Sequence, residues 1–253
     1  MPPLVRLSDP GKLRSQQTGQ GAIEFVIVFM LFAALITGVF EMTRVFRTKH
    51  SLNAATFMAA RTGIVNNALL RPMNAELENN MLELFMRGDR SLEGLGQATL
   101  RARAYGEALS AAGGGITIVS PTADAFRQLR INQRVRRSDE DAFDVHAVIP
   151  NDNLRWRPRK TANVDGGNIN LQDANLLKVR SLWCHRLVVP LLDRLVFELM
   201  NEFRYLHDRQ LVCNAITALS EVEDGPIARG YYIPVVADAI LRMQSPVVED
   251  DLQ

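Results

Sequence analysis

Residues 25–40 read FVIVFMLFAALITGVF, an unbroken apolar run in which only Thr37 and Gly38 are not strongly apolar. A surface helix of a soluble domain keeps a polar stripe, and this run has none. Extended back to Ala22, the segment would be about 28 Å long as a helix. The hydrocarbon core of a bilayer is about 30 Å thick. The pattern therefore predicts a membrane helix over residues 20–40, not a soluble core helix. Signal-peptide cleavage requires a small-x-small site after the apolar core. The pairs Ala34/Ile36, Ile36/Gly38 and Gly38/Phe40 all fail that test, so the span is expected to be retained.

Beyond the run, residues 41–62 contain neither proline nor glycine. Met42, Val45, Phe46, Leu52, Ala55, Met58, Ala59 and Thr62 recur at a rough 3–4 spacing, so one helix is expected to run out of the membrane. Gly63 weakens that pattern and Pro72 ends it. Residues 74–86 and 91–112 are amphipathic helical segments. Gly113, Gly114 and Gly115 then break the helix; they lack the lysine and Ser/Thr of a phosphate loop and read as a joint. Strand patterns follow at 116–119, 142–149, 176–189 and 231–243, with a helix at 191–203. In the long strand at 176–189, Val179, Ser181, Trp183, His185 and Leu187 fall on one face. Pro234 interrupts the last strand and suits a sheet edge. The expected class is α+β: a long N-terminal transmembrane helix continuing into a domain with a small sheet. The expected divisions are 1–19, a leader; 20–40, the span; 41–112, a helical stem and helical segments; and 116–253, an α+β domain.

Composition changes this picture little. The chain has 253 residues, 47% hydrophobic and 23% charged, ordinary for a folded protein. Its 29 basic and 28 acidic residues leave a net charge of +1, which argues against a protein built to bind nucleic acid. Arg6, Lys12 and Arg14 precede the span, and Arg44, Arg47 and Lys49 follow it, so flanking charge does not orient it.

Most candidate chemistry fails on spacing. Cys184 and Cys213 are too few for a thiolate zinc site. Cys184 and His185 are neighbours on a predicted strand and point to opposite faces, so they do not form a dyad. His207-Asp208 stands alone, and no metal site or cofactor is expected. The stretch 163–168 resembles part of a calcium loop, but Thr161 and Gln172 stand where carboxylates are needed. Arg127, Arg130, Arg134, Arg136 and Arg137 form a basic cluster that Asp139, Glu140 and Asp141 could neutralise. Arg155, Arg157, Arg159 and Lys160 surround Trp156 in a second cluster. Both read as solvated or protein-binding faces, with no nucleic-acid partner expected.

The informative residues lie at the mouth of the span. A basic leader ends at Gly19, Gln20 follows, and Glu24-Phe25 opens the apolar run. A carboxylate there costs energy, up to about 2.5–3.5 kcal/mol at mid-membrane and less near the interface. A plain anchor gains nothing from it. The stretch resembles the TadE-like pseudopilins of the tight-adherence (Flp) pilus system, in which a glycine is followed by four residues, then Glu and an aromatic. Cleavage after Gly19 makes Gln20 the first mature residue, where the family's usual residue is small, and puts Glu24 fifth and Phe25 sixth. Gly21 would put Glu24 third and break the spacing. The alanine-rich stretch 52–61 is similar to the region after the span in these proteins, and residues 173–180, 187–190 and 240–246 are similar to segments of longer members.

The resemblance implies a bitopic inner-membrane protein with a cytoplasmic N-terminus and a periplasmic pilin-like domain. It would be a minor component of the pilus assembly and secretion machinery, without catalysis of its own. Its implied partners are the prepilin peptidase, other pilin or pseudopilin subunits and inner-membrane assembly proteins. The rival reading is a membrane-anchored periplasmic enzyme or ligand-binding domain. In an oxidising periplasm a Cys184–Cys213 bridge is natural. It would close a loop of about 30 residues, worth about 3.5 kcal/mol on the chain-entropy account. The alternative is one buried thiol in a strand and one in a loop.

Overall fold

The computed structural model describes residues 18–86, 91–157, 160–164, 167–202, 207–222, 225, 227–249 and 252. The leader, with Arg6, Lys12 and Arg14, lies outside the described residues, as do Pro158-Arg159 and Asp165-Gly166. The chain divides into two units, Met1–Thr43 and Arg44–Gln253. One helix, α1 (Thr18–Val65), belongs to both.

In the first unit the described residues are all helical, and the apolar side chains face outward on every side of α1. This is the one helix among the described residues long and apolar enough to cross a membrane. Its best 18-residue window has a mean hydropathy of 2.5, and none of that window is buried.

The second unit opens with the rest of α1. Then come α2 (Leu70–Asn80), a 3-10 turn (Leu82–Leu84) and α3 (Leu92–Ala111). The Ser91 hydroxyl caps α3 by accepting from the Gly94 amide at 3.0 Å. Helix α1 stops well before Pro72. The Ile64 carbonyl accepts from the Gln244 and Ser245 amides at 3.0 and 2.9 Å, and Asn67 turns the chain with φ of 57°. Asparagine tolerates that left-handed backbone. Its side-chain amide donates to the Pro246 carbonyl at 2.9 Å, and its side-chain oxygen accepts from the Ser138 amide at 2.9 Å. Pro72 then falls in the first turn of α2, where no backbone N–H is needed. Gly63 permits the close approach of α1 to α2, since a Cβ there would run into the Met73 and Leu177 side chains.

Three strands form the main sheet: β1 (Gly115–Ser120), β6 (Leu176–Arg186) and β7 (Tyr232–Arg242), in the order β1-β6-β7 and all antiparallel. Strand β6 is central. Strand β7 is an edge, and its Pro234 sits opposite Cys184, which agrees with the edge placement expected from the proline. Gly113 and Gly115 turn the chain from α3 into β1 with φ of 88° and 82°, a conformation glycine adopts without strain.

The second half of α1 packs on this sheet through Leu52, Ala55, Ala59 and Ala60, all buried. Small side chains let helix and sheet approach closely, and two buried polar pairs fix the register. Thr56 shares a hydrogen bond with Ser181, and Thr48 Oγ1 pairs with His185 Nδ1 at 2.8 Å. One core therefore draws on residues from Leu52 to Val247.

Between β1 and β6 the chain adds α4 (Ala123–Leu129), β2 (Ile131–Arg136), β3 (Phe143–Ile149), β4 (Thr161–Val164) and β5 (Gly167–Asn170). Strand β3 pairs with β2 on one side and with the short β8 (Val247–Val248) on the other, and β4 pairs with β5 as a hairpin. After β6 come α5 (Leu192–Glu202) and α6 (His207–Leu219). The α+β expectation holds. Elements α4, β2, β4, β5 and α6 add to it, and Cys213 lies on a helix, not in a loop.

Candidate functional site

Two regions matter: the N-terminal segment of α1 and the sheet end that carries Cys184. In the first, Gly19 and Gln20 belong to the backbone of α1. Glu24 and Phe25 follow one turn later, both exposed, and Phe25 stacks on Phe29 with ring centroids 6.1 Å apart. Thr37 turns its hydroxyl back onto the Ala33 carbonyl at 2.9 Å, so it does not interrupt the apolar surface with an unsatisfied donor. The resulting cylinder is far too apolar to remain in water. Lipid tails or other apolar helices can cover it. Near the small residues Ala33, Ala34, Thr37 and Gly38 another helix can approach closely.

In the second region, Cys184 on β6 and Cys213 on α6 are bridged, with Cα atoms 5.5 Å apart. Both are buried, and the bridge ties α6 to the central strand. His185 points to the opposite face, onto Thr48 of α1, so the thiol and the imidazole do not share a site. Strand β1 pairs with β6 only as far as Leu182, which leaves the next stretch of that edge open. Tyr105 from α3 fills it, donating its hydroxyl to the Cys184 carbonyl at 2.5 Å and packing on Trp183 with centroids 4.8 Å apart. Burial, reinforced by the neighbouring Tyr232, pushes the Tyr105 hydroxyl well above its ordinary pKa. Burial also raises Tyr232 to about 12, against the opposing influence of Arg186. Both phenols therefore stay neutral at any physiological pH and act as hydrogen-bond donors, not as bases.

The basic clusters are largely balanced by acidic neighbours. Arg137 binds Asp139 at 2.8 Å and Glu140 at 3.3 Å, and its hydrogen bond holds the Asp139 carboxyl below the usual range. Glu140 also meets His146 at 2.9 Å, Arg130 meets Glu249 at 3.3 Å, and Arg127 pairs with Asp124. Arg157 is held by Asp152 at 2.5 Å, and Arg155 lies 5.7 Å from the ring centre of the exposed Trp156. The calcium-like stretch takes in the end of β4 and the start of β5, and its Asp165-Gly166 lie outside the described residues. Among the described residues no group of three or more His, Cys, Asp or Glu side chains is placed to hold a metal ion.

Sequence reading alone missed a concavity of about 360 Å³ in the second unit. Arg44 of α1, Arg101 of α3 and Arg186 of β6 line it together with Tyr105, Trp183 and His185. These residues come from distant parts of the chain, and each looks locally like an ordinary surface charge or core aromatic.

Comparison with the curated proteins and with the solved structures finds no match. Residues 19–61 match the family model described as TadE-like protein. The match begins at Gly19, covers Glu24 and the whole apolar run, and ends at Arg61 on the sheet-packed half of α1. Residues 19–61 are thus similar to the TadE-like family, a likeness consistent with a TadE-like protein of the tight-adherence pilus system.

Proposed function

We propose that this chain is a minor pseudopilin-like component of the tight-adherence pilus, cut by a prepilin peptidase after Gly19 and acting by subunit packing. The observation that carries the reading is an apolar helix exposed on all sides, with Glu24 set at its mouth in the spacing that cleavage after Gly19 requires. In this account residues 1–19 are a cytoplasmic leader and residues 20–40 the span in the inner membrane. Residues 41–112 form a helical stem and helical segments, and residues 116–253 a periplasmic domain. The bridged cysteines support that orientation, because disulfides persist in an oxidising compartment. The partners are the prepilin peptidase, other pilin or pseudopilin subunits and inner-membrane assembly proteins, and the chain itself performs no catalysis. A membrane-anchored enzyme would need converging acid–base groups. The described lining of the concavity offers one imidazole and no carboxylate.

Processing is the direct test. Mass spectrometry of protein extracted from membranes should find Gln20, or its cyclised form, at the N-terminus. Recovery of only the uncut chain from cells with an active prepilin peptidase would refute the cleavage.

A further inference from the structure

We propose that the outer edge of β2 takes an added β-strand from another protein, an extended segment in which acidic residues alternate with apolar ones. Strand β2 pairs with β3 alone, and β8 lies on the far side of β3. The direction of the backbone groups along β2 follows from β8. Val248 donates its amide to the Asn67 carbonyl at 3.3 Å and so faces away from β3; its partner Val148 therefore faces β2. Facing alternates along a strand, and directly opposed residues of an antiparallel pair either face each other or both face away. Ile131, Gln133 and Val135 thus bond to β3, and Asn132, Arg134 and Arg136 turn their amides and carbonyls outward. Among the described residues nothing hydrogen-bonds to these outward groups. A row of unmet donors and acceptors is a template for another strand.

The side chains set what that strand must be. Asn132, Arg134 and Arg136 share one face and are exposed. Val145 and Phe143 stand opposite the two arginines, each 62% exposed. Arg134 makes no ion pair or hydrogen bond among the described residues, and Arg136 engages only its Nε, on the Glu140 carbonyl at 3.3 Å. The carboxylates of the following turn do not neutralise them, since Asp139 binds Arg137, and Glu140 binds Arg137 and His146. On the other face Ile131 and Val135 pack with Leu69, Val148 and Val248. An added strand lays alternate residues on the two faces. Acidic side chains on the first meet Arg134 and Arg136, and apolar ones on the second extend the small cluster. Charged residues on an edge ordinarily guard it against pairing, and here the guard is selective. Two β2 strands set side by side bring arginine against arginine, which like-charge repulsion disfavours. The occupant is therefore an acidic strand and not the β2 of a second copy. The inference concerns the second unit alone and does not depend on cleavage after Gly19.

The test uses the full chain in detergent micelles and a fluorescent synthetic peptide, Val-Glu-Val-Glu-Val-Glu-Val, capped at both ends. Fluorescence anisotropy should show saturable binding below about 1 mM, at least about tenfold tighter than for the same peptide with Lys in place of Glu. Hydrogen–deuterium exchange should slow in β2 when the acidic peptide is bound, because the outward amides gain partners. Asn132→Pro removes one outward amide, no bond to β3 and neither arginine, so it should weaken binding at least about tenfold. Arg134→Glu with Arg136→Glu should invert the preference toward the lysine peptide. Equal binding of the two peptides, no saturable binding of the acidic one, or binding without slowed exchange in β2 would each overturn the proposal. So would native affinity in Asn132→Pro, since the attraction would then be one of side chains alone. The measurements on the native chain decide the matter even where a variant fails to fold.

Discussion

Replacing Glu24 with alanine should leave the chain in the membrane and abolish pilus assembly. A carboxylate at the mouth of an apolar helix opposes insertion, so its removal eases residence in the bilayer. If Glu24 merely tolerated its position, the variant would work as well as the native chain or better. On the proposed reading, cleavage after Gly19 would change the balance by creating a free amine on Gln20, one turn from Glu24. In a packed assembly the Glu24 carboxylate of one subunit can neutralise that amine on a neighbour. The attraction is strengthened where water is excluded. Without Glu24 the amine is buried uncompensated, at a cost of several kcal/mol. Lysine at position 24 should be worse than alanine, because it adds like charge beside the amine. Surface piliation, counted by electron microscopy at matched protein levels, is the readout. Normal piliation with Glu24→Ala would reduce the residue to an incidental edge charge.

Breaking the disulfide should have the largest effect on the fold. Cys184 and Cys213 are 29 positions apart and both buried. Freeing a loop of that size returns about 3.5 kcal/mol of conformational entropy to the unfolded chain. For a domain of this length that corresponds to a fall in Tm of roughly 7–14 °C. The paired replacement Cys184→Ala and Cys213→Ala isolates the bridge, because a single replacement would leave a reactive thiol. Thermal unfolding followed by near-ultraviolet circular dichroism measures the change, since Trp183 and Tyr105 pack beside the bridge. An unchanged Tm would show that α6 is held by its other contacts. The same cysteines report on compartment: in cells they should resist maleimide until reduced. Free thiols in the native chain would place the second unit in a reducing compartment.

Much of the fold was legible because its elements keep simple periods. Alternation along β6 located the buried face of Val179, Ser181, Trp183 and His185, and Pro234 marked β7 as an edge. What was hidden is hidden for physical reasons. Strand β2 alternates weakly because Gln133 stands between Ile131 and Val135, and its arginines read as a charged surface. The hairpin of β4 and β5 is short and mostly polar. Helix α6 buries Gln210 beside Cys213 and Ile216, and a glutamine on the inner face breaks the apolar pattern. Its side-chain amide donates to Asn214 one turn along the helix at 2.9 Å and to the Tyr232 carbonyl at 3.2 Å, the second a partner that only the tertiary fold supplies. The end of α1 is a similar case. Proline was the visible stop, but the helix ends earlier because the C-terminal segment donates to Ile64.

The two candidate sites differ in the same way. Gly19, Gln20, Glu24 and Phe25 form a linear pattern, so their spacing could be read directly. The arginine-lined concavity is assembled from positions 44, 101 and 186, and no local rule links them.

The central claim is that the chain works in building a tight-adherence pilus. The most direct measurement is piliation of a strain with an in-frame deletion of this gene, with and without the native chain restored on a plasmid. The account predicts that surface pili are lost on deletion and return on complementation. Full piliation of the deletion strain, with the major pilin expressed at its normal level, would contradict it.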